Sequence, residues 1–129
     1  MKFLKTQQIL ILHERTINQH GGSHGLRDSG ALESALAAAE NRYHYENADL
    51  VMCAATYAYH LSQAHAFIDG NKRIASLAAD AFLGLNNARL VAPDDEEIIK
   101  LFLQIASGEM TRDEVETKFA EWFVEDKKS

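Results

Sequence analysis

Cysteine and proline are almost missing from this 129-residue chain, which holds one of each. A single cysteine, Cys53, excludes an intrachain disulfide and any cysteine-ligated metal cluster. Set in the apolar run LVMCAATYAYHL, it reads as a small buried hydrophobe. With Pro93 the only proline, almost nothing interrupts regular helix. Long hydrophobic runs are missing too: no window reaches the roughly 18 apolar residues of a membrane span. The opening MKFLKTQQIL has no sustained apolar stretch followed by a cleavage site. The expected setting is therefore the cytoplasm, with no membrane partner. Positive charge is in deficit, 13 Lys and Arg against 19 Asp and Glu, for a formal net charge of -6. Broad, sequence-independent binding to nucleic acid needs a basic face and is not expected. The motifs G-x-S-x-G, H-E-x-x-H and C-x-x-C do not occur, which removes the commonest serine-hydrolase, zinc-protease and dithiol chemistries.

What is present is a chain of ordinary globular composition, 47% hydrophobic and 25% charged. Its length suits one core, so residues 1–126 are expected to form one domain, with 127–129 a polar tail. Helical spacing recurs in nearly every segment and predicts an all-α bundle of about six helices around a central apolar pair. Thr6 is placed to cap a first helix carrying Ile9, Leu12 and Ile17, with Gly21-Gly22 ending it. Asp28 or Ser29 opens a second, with Leu32, Ala35, Leu36 and Ala39 on one stripe. Asp49 caps a third that is apolar around most of its girth. A fourth runs from about Asn71 to Leu85, its inward positions Ile74, Leu77, Ala78, Ala81, Phe82 and Leu85. ARLVAP is a lone strand or a linker. Pro93 begins a fifth helix whose acidic first turn, Asp94 to Glu97, complements the helix dipole. Thr111 and Glu114 form a capping box for a last helix carrying Val115, Phe119, Trp122 and Phe123.

The fourth helix breaks the rule the fifth obeys. It begins with Lys72 and Arg73, and cations there oppose the dipole. Such local conflicts tend to mark function. A helix N-terminus offers free N–H groups to an anion, and Gly70 allows close approach without a Cβ. Lys72 supplies a point charge and Arg73 a bidentate fork, a combination suited to polyphosphate. Asp69 offers a hard oxygen for magnesium, and Asn71 donates or accepts beside it. His65, about one helical turn upstream, is a candidate general base, and Phe67 is placed to plug the loop into the core. Spacing alone equally allows an ordinary turn with Asp69 as cap and both cations solvated. The stretch does not match a P-loop, since no glycine stands four residues before Gly70. His20 and His24 are separated by Gly21-Gly22, which disfavours a helical metal pair. His13, His44 and His60 read as surface or core histidines.

HAFIDGNKRIAS, from His65 to Ser76, resembles the signature of the Fic and Doc superfamily, whose Fic branch reads H-x-F-x-D/E-G-N-G-R-x-x-R. The matching positions are His65, Phe67, Asp69, Gly70, Asn71 and Arg73. The preceding GGSHGLRDSGALESALAAAENRYHYENADL and the later GEMTRDEVETKFAEW also resemble Doc-type segments. Lys72 replaces a Fic glycine and Ser76 the second arginine, and both departures point to the Doc branch.

That resemblance implies a toxin of a toxin–antitoxin pair that transfers the γ-phosphate of ATP to a Ser or Thr hydroxyl of elongation factor Tu and halts translation. It gives His65 the role of base, Asp69 that of magnesium ligand, and Gly70, Asn71, Lys72 and Arg73 the nucleotide phosphates. It also places a flap for the target peptide at Ser23, His24, Gly25, Leu26 and Arg27. The self-inhibitory S/T-x-x-x-E-G/N pattern of some Fic proteins is incomplete here, since Ser34 follows Glu33 and Trp122 follows Glu121. The implied inhibitor is thus a separate Phd-like antitoxin whose disordered tail folds on binding. The alternatives are AMP transfer of the Fic type and a non-catalytic regulatory binding module.

Overall fold

A computed structural model describes residues 1–126, and the expected polar tail 127–129 lies outside the described residues. Helices dominate: α1 spans Thr6–His20, α2 Ser29–Glu46, α3 Leu50–Ala64 and α4 Asn71–Leu85. A short strand β1, Ala88–Leu90, then leads to α5, Asp95–Ala106, α6, Arg112–Trp122, and a second strand β2, Phe123–Glu125. Caps set most of the helix starts. Asp28, Asp49 and Asp94 each accept from the backbone N–H three residues on, at 3.0, 2.9 and 2.9 Å. Thr111 and Glu114 exchange the two bonds of a capping box, at 3.1 and 3.0 Å.

Some boundaries differ from the sequence expectation. Thr6 is the first helical residue of α1, and Lys5 stands at the cap, where its N–H donates to Gln8 Oε1 at 2.8 Å. Pro93 precedes the cap of α5, which Asp94 supplies. ARLVAP resolves as strand β1, and Phe123 leaves the last helix to open β2, the two pairing antiparallel with Leu90 opposite Phe123. Leu12, Leu77, Ala81 and Leu85 are half-buried, while Ala75, Ala79 and Leu83 take the inward places on α4.

The centre is the pair α3 and α4. Cys53 to Ala58 are all buried on α3, and Ala54, Ala55 and Ala58 face a core that also receives Ala75, Ala78 and Ala79 from α4. Alanines on both helices let their axes approach closely. α2, α5 and α6 pack around α3, and α1 lies on α4. Burial pushes the Cys53 thiol up to about 11. One buried ion cluster ties three helices: Arg42 of α2, 6% exposed, donates to Thr56 Oγ1 of α3 at 2.9 Å and to the Glu116 carboxylate of α6. Its Nε stands 3.5 Å from Glu46, outside hydrogen-bond geometry. Burial opposes the charge on Arg42, but Glu116 and Glu46 outweigh it and raise its pKa. Among the described residues, no helix is long and apolar enough to cross a membrane.

Candidate functional site

The loop between α3 and α4 carries the residues singled out from sequence, and its shape follows from one buried anchor. Phe67 is 2% exposed, so the loop is pinned at its middle while His65 and Asp69 on either side remain exposed. Asn71, at the first position of α4, braces the same residue twice. Its Oδ1 accepts from Phe67 N–H at 3.0 Å and its Nδ2 donates to Phe67 C=O at 2.9 Å. The amide therefore works within the loop rather than projecting freely from it.

His65 closes α3 in the left-handed region, φ 48° and ψ 42°. Glycine or asparagine usually takes that position, and another residue costs about 1–3 kcal/mol there. Neighbouring bonds hold it: Arg27 Nη2 donates to His65 C=O at 2.7 Å, and the N–H groups of Arg27 and Asp28 donate to Ala66 C=O at 2.7 and 3.0 Å. A left-handed backbone at a residue other than glycine or asparagine, held by such bonds, is a mark of functional sites.

Gly70 caps α4 at φ 79°, a conformation that favours glycine, and its C=O accepts the first helical bond from Ile74 at 2.9 Å. The start of α4 faces a cleft of about 350 Å³ lined by Gly21, Gly22, Asp69, Gly70, Asn71, Lys72 and Arg73. Lys72 and Arg73 are exposed, and neither forms an ion pair among the described residues. The helix N-terminus and two uncompensated cations converge on one opening, which suits a polyanion. His65 is not among the residues lining this cleft.

Asp69 does not cap α4. Its Oδ2 accepts from Ser23 N–H at 2.9 Å, and its C=O is held by His13 Nε2 at 2.7 Å. Among the described residues Oδ1 has no such partner, and a carboxylate oxygen at the edge of this cleft is the kind of donor magnesium takes, with few protein ligands beside substrate phosphates. Gly22 lies so close that a Cβ there would come 3.2 Å from Asp69 Oδ2, at a φ of 111°.

The segment Ser23 to Arg27 runs antiparallel to the active loop. Leu26 pairs with Phe67, and Gly25 C=O accepts from Ile68 N–H at 3.1 Å. It also borders a second cleft of about 460 Å³, lined in part by His13, Glu14, Asn18, His24 and Phe67. His20 and His24 take no part in a group of three His, Cys, Asp or Glu side chains able to hold a metal, none of which occurs among the described residues.

Sequence reasoning gave His13 only a core or surface place, whereas the structure puts it under the loop. The signal was available: His13 shares the inward face of α1 with Ile9 and Ile17, and a polar side chain on a buried stripe requires a partner. The contact of Arg27 with His65 left no such trace, because an exposed arginine on a glycine-rich loop has no preferred partner in sequence.

A model of the Fic/DOC family matches residues 3–83, which include α1, the Ser23 to Arg27 segment, α2, α3, the loop after it and nearly all of α4. Protein kinase doc of Escherichia phage P1 is 31% identical over 112 residues, 86% of this chain and 87% of that protein. With the His65 to Arg73 signature on a loop between two central helices, the chain belongs to the Fic/DOC family.

Proposed function

We propose that this protein is a Doc-like toxin that transfers the γ-phosphate of ATP to a Ser or Thr hydroxyl of a translation factor, elongation factor Tu, and so blocks translation. The observation that carries this reading is the pair Lys72 and Arg73, without ion-pair partners among the described residues, at the N-terminus of α4. In this reading the cleft beside them takes the triphosphate, with Gly70 and Asn71 forming its floor. Lys72 stands where AMP-transferring relatives of this fold keep glycine, and Ser76 where they keep the second arginine.

His65 takes the proton of the target hydroxyl as that oxygen attacks the γ-phosphorus. The bond from the γ-phosphorus to the β–γ bridging oxygen breaks, and ADP leaves with the electron pair. Lys72 and Arg73 neutralise the charge shared among the phosphate oxygens, so positioning and electrostatics supply most of the rate. Asp69 would hold magnesium, which screens the phosphates and orients them when bound. Ser23 to Arg27 would align the target segment by main-chain pairing on the side not used by the active loop. A Phd-like antitoxin with a disordered tail would neutralise the protein in the cell.

The test is transfer from ATP labelled at either the γ- or the α-phosphate to purified elongation factor Tu, with magnesium. Label from the γ-position alone is expected, and His65→Ala should slow it by about 10²–10⁴. Label from the α-position alone would replace this reading with AMP transfer. Growth inhibition that survives His65→Ala undiminished would replace it with a non-catalytic module.

A further inference from the structure

α1 sends one polar side chain into the interior under the phosphate-facing turn. His13 is 4% exposed, and its Nε2 lies 2.7 Å from the Asp69 carbonyl oxygen. A carbonyl oxygen only accepts, so Nε2 carries the hydrogen. The same ring lies flat on Phe67, with centroids 3.8 Å apart and planes 12° from parallel. A Cβ placed on Gly70 would come 3.5 Å from Nε2. One ring thus stacks on Phe67, bonds the Asp69 carbonyl and borders the space that a side chain at Gly70 would enter.

The consequence lies in the peptide that joins Asp69 to Gly70. In a trans peptide the C=O and the following N–H point in opposite directions; the chain has no cis bond. With the Asp69 C=O drawn inward to His13, the Gly70 N–H is aimed outward, on the side of the cleft it helps to line. Among the described residues that N–H makes no loop or cap hydrogen bond.

We propose that His13 is a positioning residue of this site: it locks the Asp69–Gly70 peptide so that the Gly70 N–H serves as a fixed donor to a phosphate oxygen. This rests on the reading that the cleft takes a triphosphate. His13 itself touches no reacting atom, and its effect passes through the backbone.

Two variants separate the donor from the packing. His13→Phe keeps a flat ring against Phe67 and removes the donor, whereas His13→Gln replaces the ring and retains an N–H of similar reach. Addition of magnesium ATP should shift the Gly70 amide resonance in the wild type and in His13→Gln, and leave it nearly unmoved in His13→Phe. In the phosphotransfer assay His13→Phe should lose about 100-fold in kcat with the KM for the target protein within about twofold, and His13→Gln should recover at least tenfold. A role in packing alone would lower Tm and leave kcat per folded molecule unchanged in His13→Phe, which overturns the proposal. An equal Gly70 shift in wild type and His13→Phe, or no shift in the wild type, overturns it as well. Because the amide shift needs no transfer to occur, absence of phosphotransfer in every variant would strike the kinase reading and leave His13 to be decided by the spectra.

Discussion

Under the proposed function, Lys72 and Arg73 set stability against binding at a single turn. Both are exposed cations at the start of α4, where the partial charge of the helix is also positive. Replacing Lys72 by Ala should therefore stabilise the fold by about 0.3–1 kcal/mol. The same change should weaken ATP binding by about tenfold to a hundredfold, since a charge-assisted contact contributes about 1.5–3 kcal/mol. Urea denaturation and calorimetric titration check the two signs separately, and a Lys72→Ala protein that is both less stable and a normal ATP binder would show that the cation serves the fold. At this scale much of the site was legible, because Asp69 to Arg73 are contiguous and a dipole argument needs only neighbours. That His13 needs a partner was legible too, but not which one, since Asp69 lies 56 residues away.

Among the elements, α6 is tied to the central helices through Arg42, and that tie should be costly to break. Glu116→Ala would leave the guanidinium, 7% exposed in its side chain, with Thr56, the Met52 carbonyl and the largely exposed Glu46 carboxylate at 3.5 Å. A loss of about 3 kcal/mol is expected in urea denaturation, the low end for stranding a buried charge. A loss below about 1 kcal/mol would mean that the cluster behaves as a surface pair. Helices α2 and α3 could be read from sequence because their stripes and aspartate caps are local signals, and α4 from its apolar stripe alone. The ribbon of β1 and β2 could not: Phe123 and Val124 continue the apolar pattern of Phe119 and Trp122, and only pairing with Ala88–Leu90, distant in sequence, turns them into strand. Thr6 misled for a related reason, since the group that satisfies the start of α1 is the side chain of Gln8, reaching back to Lys5.

Across the whole molecule, stability should depend on pH through His60. Burial, then the charges of Arg112 and Arg42, hold its pKa below the ordinary 6.5. The unfolded chain then binds the proton more readily, so stability is complete above about 6.5 and falls as pH drops toward the folded value. His60→Gln should flatten part of the decline in urea midpoint between pH 7 and pH 5; equal slopes in the two proteins would count against this assignment. Finally, the described chain closes on itself at the end of α4. The backbone N–H and C=O of Lys2 bond the Asn86 side chain, each at 2.8 Å, and Asp126 N–H donates to Asn87 C=O at 2.8 Å. α4 has 15 residues, so this clasp stands about 22 Å from the turn at Gly70. A fluorophore or affinity handle attached beside Lys2 or Asn87 would sit at the end of α4 away from the candidate site, and on the proposed function it would not crowd an incoming nucleotide.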